Sequence, residues 1–196
     1  ANNEIKYALS ATATVSDQET NYWGADKAID GIVNRDAAKA DQSRWATNQS
    51  TSQAARTLTV NLGTQKTFDH FVIEWERTNI TNFKISVCDT EDGEYRDVYV
   101  KNDGENITSV TSDIQLDEAV TAQYVKLTVN GYTVNPGSWQ SVSLYEFEIL
   151  GEAENLSTAA TATADGSETT GTNASKAVDG DDTTRWASPA ATGSHW

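Results

Sequence analysis

Phe71-Val72-Ile73-Glu74-Trp75 sets a large apolar side chain at every second position, as Leu58-Thr59-Val60-Asn61-Leu62 does shortly before it. A period of two marks a strand that buries one face, because successive side chains leave a pleated backbone on opposite sides. The same alternation recurs at Phe83, Ile85 and Val87, at Val98 and Val100, at Val125, Leu127 and Val129, and at Tyr145, Phe147 and Ile149. Turn chemistry separates these runs at Glu91-Asp92-Gly93, Asn102-Asp103-Gly104 and Asn130-Gly131. Long segments with helical periodicity are missing. The pattern predicts an all-β chain, a jelly-roll-type antiparallel β-sandwich of about eight strands. Trp45 and Trp75 lie in strand-like apolar patterns and read as core residues.

The chain also repeats itself. Ala8-Leu9-Ser10-Ala11-Thr12-Ala13-Thr14, then Asp26-Lys27-Ala28-Ile29-Asp30-Gly31, then Ser43-Arg44-Trp45-Ala46-Thr47 stand near the start. The same order returns as Asn155 to Thr161, Ser175-Lys176-Ala177-Val178-Asp179-Gly180, and Thr184-Arg185-Trp186-Ala187-Ser188. Asp30 and Asp179 are 149 positions apart, a period of tandem domains and far above the roughly 20–50 residues of solenoid repeats. Asp30 to Ser43 spans 13 positions and Asp179 to Thr184 spans 5, so one loop is longer in the first copy. Residues 1–151 form a complete domain on this reading, and residues 152–196 the N-terminal fragment of a second copy. Because the pattern breaks off at Trp196, the expectation is a piece excised from a longer protein.

Composition excludes several classes of function. Fourteen basic against 29 acidic residues give a net charge of -15, which repels phosphate backbones and anionic lipid and argues against a nucleic-acid partner. No apolar run approaches the ~18 residues of a membrane span. The one cysteine, Cys88, can form neither an internal disulfide nor a zinc site and reads as a packed strand residue. With two histidines, His70 and His195, and no metalloprotease, esterase or phosphate-loop motif, the chain reads as non-catalytic.

The Lys-Ala-(Ile/Val)-Asp-Gly signature carries more chemistry. Asp-Gly on a turn sets a carboxylate beside a backbone free to adopt unusual dihedrals, and mixed carboxylate and carbonyl oxygens suit a hard cation. A plain hydrogen-bonded turn accounts for the same residues equally well.

Taken in order, Lys27 to Gly31, Ser43-Arg44-Trp45, Leu58-Thr59-Val60-Asn61-Leu62-Gly63 and Tyr145-Glu146-Phe147-Glu148-Ile149-Leu150-Gly151 resemble the coagulation factor 5/8 type C (discoidin-like) superfamily. Within it, the chain is most similar to family 32 carbohydrate-binding modules, CBM32. The resemblance implies a discoidin-like sandwich with a structural Ca²⁺ near its binding loops. It implies backbone carbonyls from Lys27, Ile32 and Tyr145, carboxylates from Asp30 and Glu146, and hydroxyl and carbonyl from Ser43, with Asp36 a substitute for Ile32 on the longer loop. In the second copy the same spacing falls on Lys176, Asp179, Asp181 and Thr184.

Sugar recognition needs an aromatic face for the pyranose and planar polar groups for its hydroxyls. Three stretches qualify: Asn21-Tyr22-Trp23-Gly24, residues 76–82, and residues 132–139. They nominate Trp23, Glu76, Arg77, Asn79, Asn82, Tyr132 and Trp139 for carbohydrate binding. The resemblance matches Arg77 and the Asn after it to hydroxyl ligands and the 132–139 loop to a stacking aromatic. The histidine common in galactose-binding members has no counterpart before residue 76, so galactose and N-acetylhexosamine both stay open. The resulting expectation is a secreted or wall-attached bacterial module that holds a glycoside hydrolase, in the same polypeptide, on host or mucin-like glycans. A discoidin-like adhesion module for a protein or membrane surface, or a structural spacer, is the alternative.

Overall fold

The computed structural model describes residues 3–49, 54–134, 140–153, 161–164, 166 and 169–187. The chain divides into two compact units, Ala1–Glu152 and Ala153–Trp196. The first contains eight strands: β1 (Glu4–Lys6), β2 (Thr12–Val15), β3 (Trp45–Ala46), β4 (Arg56–Trp75), β5 (Ile80–Cys88), β6 (Arg96–Lys101), β7 (Thr111–Tyr132) and β8 (Ser143–Glu152).

Two strands, β4 and β7, are far longer than the period-two runs that announce them, 20 and 22 residues. They pair antiparallel over their length, with register shifts between Asn61 and Lys66 and between Phe68 and His70. Such irregularities bend a strand, and here the two halves of each strand serve different layers. The first half of β4 pairs with β2 and with the end of β7, which passes the ladder on to β5 and then β6. The second half of β4 lies between the start of β7 and β8, and β8 carries β1 and β3. The chain is therefore an antiparallel β-sandwich in which two bent strands are common to both sheets.

The alternation explains the core. Ile85, Leu127 and Leu58 stand side by side in one layer, as do Val87, Val125 and Val60. In the other layer Ile114, Phe71 and Ile149 align, and Phe147 sits opposite Ile73. All are buried in one cluster with Trp45 and Trp75, and each such side chain stabilises the fold by roughly 1.5–3 kcal/mol.

Two sequence expectations are corrected. Asn130-Gly131 is not a turn but part of β7. Gly131 is required there because a Cβ would come within 2.5 Å of the Thr81 hydroxyl, so the glycine permits close strand approach. Residues 111–120, unassigned in the sequence, form the first half of β7; Ile114 and Val120 are its buried anchors. Gly104 takes φ +77° in the Asn102-Asp103-Gly104 turn, as turn chemistry requires. Among the described residues no helix is long and apolar enough to cross a membrane.

His70 ties the short first strand to the sandwich. Its Nδ1 lies 2.9 Å from Glu4 Oε1 and its Nε2 2.6 Å from Asp113 Oδ1. Burial disfavours the imidazolium, but hydrogen bonds and charges from Asp113 and Glu4 outweigh it and raise the pKa above 6.5. The stabilisation from protonated His70 is therefore complete below pH 6.5 and lost as pH rises through the raised folded value. The Tm advantage of the native chain over His70→Gln should be largest in mild acid and shrink as pH climbs. A difference that stays flat or grows with pH in thermal melts would refute this.

Candidate functional site

The loops of the first unit gather at one end against β8. A 3-10 turn at Ala25–Ala28 leads into Asp30-Gly31, where Gly31 takes φ +79°, a left-handed value that favours glycine. Asp30 Oδ1 accepts from the Ile32 N–H at 2.9 Å, and its Oδ2 accepts the Ser43 hydroxyl. Glu146 Oε2, from β8, accepts the Gly31 N–H at 2.5 Å. Sequence positions more than a hundred residues apart thus bring Asp30, Ser43 and Glu146 together.

Glu146 is 1% exposed. Burial pushes its carboxyl up to about 8; the Gly31 N–H opposes this, and the charges of Asp30 and Glu148 add to it. No ammonium or guanidinium of the described residues pairs with Glu146, and the Lys27 amine faces Asp26 instead at 3.7 Å. A buried carboxylate beside a second carboxylate, with hydroxyl and carbonyl oxygens to hand, fits a hard cation. Among the described residues no three His, Cys, Asp or Glu side chains converge on one point, so hydroxyl and backbone oxygens must complete any such site. Ile32 is 47% exposed at the tip of the turn. Asp36 is exposed further along the loop and makes no hydrogen bond to this group.

The longer loop has its own work. Arg35 donates to the Trp75 carbonyl at 2.6 Å and to Glu74 at 2.9 Å, and its guanidinium lies 4.8 Å from the Tyr145 ring centroid. Asn34 and Gln42 close the loop on itself through Ser43 N–H and the Arg35 and Ala37 carbonyls. The extra residues clamp the Asp30 turn onto β4 and β8.

Arg44 corrects one sequence assignment. Its guanidinium lies 3.8 Å from the Trp23 ring centroid, donates to Ser143 Oγ at 2.9 Å and pairs with Glu76 at 3.3 Å. Trp23, nominated as a stacking platform, is 8% exposed beneath it; its face is taken by a cation, not open to a pyranose. Tyr132 is corrected likewise. It is 3% exposed, with its hydroxyl accepting from Arg56 and donating to the Ala54 carbonyl. Trp139 lies outside the described residues.

Arg77 and Asn79 do meet, in a cleft of about 420 Å³ between the loops that follow β4, β6 and β7. Thr78, Asn106, Val110, Thr133 and Val134 complete its lining. Asn79 is partly spent on structure, because its amide donates to the Thr133 and Ser141 carbonyls at 3.1 and 3.0 Å. Asn82 sits away from the cleft and accepts the Gly104 N–H at 2.9 Å. Glu76 is paired with Arg44 and lies 3.9 Å from Arg77, which stays 41% exposed. Asn106 was not foreseen: it sits in an irregular loop, and only the hydrogen bond it accepts from Thr133 at 3.3 Å shows its place.

The second unit repeats the turn. A 3-10 turn at Ala174–Ala177 precedes Gly180 at φ +74°, and Asp179 accepts from Thr184 Oγ1 at 2.7 Å and from the Asp181 N–H at 3.1 Å. Trp186 donates to the Gly166 carbonyl at 3.1 Å, as Trp45 does to Asp17 at 2.9 Å.

A model of the F5/8 type C domain matches residues 11–146. Chitosan-binding module 1 of a chitosanase/glucanase from Paenibacillus sp. IK-5 is 25% identical over 75% of this chain and 99% of its own, with a TM-score of 0.60. The family 32 module of Clostridium perfringens NanJ, solved with galactose, is 21% identical over 76% and 99%, with a TM-score of 0.57. A further Clostridium perfringens family 32 module, in complex with GalNAc-β-1,3-galactose, is 18% identical over 72% and 96%, with a TM-score of 0.53. No curated protein matches the chain.

Breaking a buried ion pair leaves its partner uncompensated. Arg44→Met should lower unfolding free energy by about 3 kcal/mol in urea titrations, and the double variant Arg44→Met/Glu76→Met should recover much of that loss. Equal destabilisation by the single and double variants would show that the pair is not what matters.

Proposed function

Because this chain belongs to the F5/8 type C domain family, we propose that its first unit is a non-catalytic module that binds a hexosamine- or galactose-containing glycan in the cleft at Arg77. The observation that carries the reading is the convergence of Arg77, Asn79, Asn106 and Thr133 on one concavity at the loop end. A guanidinium and amide groups offer planar donors and acceptors of the kind that read sugar hydroxyls, and Val110 and Val134 give the apolar contact that a pyranose face needs. The likeness to a chitosan-binding module supports the hexosamine side of this class.

A structural Ca²⁺ belongs to the same reading. Asp30 and Glu146 would hold it with carboxylates, Ser43 with its hydroxyl, and Lys27, Ile32 and Tyr145 with backbone carbonyls. The ion would supply the positive charge that lets Glu146 stay ionised while buried. What it fixes is the loop 24–44, whose far end carries Arg44 and, through Glu76, steadies Arg77.

The recurrence of the Asp30 turn at Asp179 supports reading residues 152–196 as the opening of a second module. In an extracellular polypeptide, such modules keep a neighbouring glycoside hydrolase on its substrate. A shallow, open cleft binds weakly, and duplication raises avidity through effective concentration.

Screening the chain against immobilised glycans with Ca²⁺ present should return hexosamine- or galactose-terminated structures. Arg77→Ala should weaken that binding at least about tenfold, a loss of ~1.4 kcal/mol, with an unchanged melting temperature. Binding to no glycan would sink the reading. Separately, Ca²⁺ should raise the Tm of the native chain and leave that of Glu146→Gln nearly unmoved; equal shifts would place the ion elsewhere.

A further inference from the structure

The cleft at Arg77 does not end at Asn106. The same residue lines a second cavity of about 440 Å³, walled by Tyr99 and Lys101 of β6 and by Thr111 to Ile114 of β7. Tyr99 in turn lines a third cavity of about 500 Å³, with Leu116, Asp117 and Glu118 along its other side. One shared residue joins each cavity to the next, so the three adjoin in a row and make a segmented trough, each part within the roughly 300–1,000 Å³ of ligand sites.

The lining beyond Asn106 has a definite chemistry. Its floor is apolar, made by the buried Phe83, Ile107 and Ile114. Tyr99 is held against Phe83 with ring centroids 5.6 Å apart. Thr108, Ser109, Thr111 and Ser112 line it with hydroxyls. Carboxylates stand along the trough at Asp103, Glu105 and Asp113 and again at Asp117 and Glu118. Among these described lining residues only Lys101 is a cation, and its ammonium is taken up by the Thr81 carbonyl at 2.6 Å, Asp103 at 2.6 Å and the Glu105 carbonyl at 2.5 Å. Asp113 is engaged by His70 at 2.6 Å. Glu105, Asp117 and Glu118 have no ion-pair partner among the described residues and remain exposed.

We propose that this trough is an extended subsite for a linear hexosamine polysaccharide whose amino groups are free, so that several successive units bind and their ammonium groups face Glu105, Asp117 and Glu118. The inference rests on the glycan reading of the Arg77 cleft, from which the trough opens. The apolar floor and Tyr99 suit pyranose faces, the hydroxyls suit sugar hydroxyls, and the carboxylates favour a cationic chain over a neutral or anionic one. The net charge of -15 adds a long-range attraction for the same polymer.

Calorimetric titration of the whole chain, with Ca²⁺ present, against glucosamine oligomers from dimer to hexamer and their fully N-acetylated counterparts tests this. Affinity for the free-amine series should climb at least about tenfold from dimer to hexamer and fall as salt screens the carboxylates. The N-acetylated series should show a smaller gain. The triple variant Glu105→Gln/Asp117→Asn/Glu118→Gln, all at exposed side chains, should lose most of the hexamer's gain and bind the dimer as the native chain does. Equal affinity for dimer and hexamer, or a triple variant that keeps the gain, would overturn the trough while dimer binding sensitive to Arg77→Ala leaves the glycan cleft standing. Failure of every oligomer, dimer included, would remove both. An oligolysine peptide bound as tightly as the hexamer, with the same loss in the triple variant, would also overturn the inference and assign the trough to a basic peptide.

Discussion

Burying a charge without a partner costs several kcal/mol, and at the loop end of this sandwich that cost fixes where the loops lie. Arg44 and Glu146 are 2% and 1% exposed, and Arg56 is 8% exposed. Each forces its surroundings to answer it. Arg44 draws Glu76, Ser143 and the Trp23 face around itself. Arg56 fixes Asp17 at 2.7 Å and orients the Tyr132 hydroxyl at 3.1 Å. Glu146 takes the Gly31 N–H and, through the Asp30 turn, brings Ser43 to the same point. Loops that lack regular secondary structure are thereby placed by two buried guanidinium groups and by the hydrogen bonds of one buried carboxyl.

The consequence is a cleft at Arg77 whose lining the fold itself holds in place. Arg77 follows directly on Glu76, whose carboxylate is held by Arg44, and Asn79 is pinned to the chain beyond β7. The Ile107 N–H bonds the Ile80 carbonyl at 2.9 Å, and the Trp75 N–H bonds the Val110 carbonyl at 2.7 Å, so the wall carrying Asn106 is fastened on both sides. A preorganised cleft loses less ordering entropy on binding than a mobile one. The sandwich adds further concavities, because β6 and the first half of β7 line two cavities next to the loops.

The strands were legible because burial of one face imposes a period of two that each segment displays alone. Leu58, Val60, Phe71, Ile73, Phe83, Ile85, Val125, Leu127, Phe147 and Ile149 all entered the core from the face that alternation assigns. The misreading of one glycine has a plain origin. Asn130-Gly131 has the composition of a turn, yet the glycine answers a neighbouring strand, and no local signal distinguishes a tight approach from a tight bend. The aromatic nominees divided for a similar reason. Trp23 looked like a loop aromatic, but the cation that covers it comes from residue 44; Tyr132 was nominated with the 132–139 loop, but Arg56 and Ala54 claim its hydroxyl.

Alternation and repetition in the chain were enough to establish an antiparallel sandwich and a recurring Asp-Gly turn, since each is written in local pattern or in similarity between distant stretches; only the resemblance to the F5/8 type C superfamily set Ser43 and Glu146 beside Asp30. Which aromatics are exposed, that Asn106 joins Arg77, and that carboxylates line the neighbouring cavities were decided only by folding. These features depend on contacts between segments whose spacing in the chain carries no period. Their physical cause is the bending of β4 and β7 through both layers, which sets the loops after β4, β6 and β7 around one concavity.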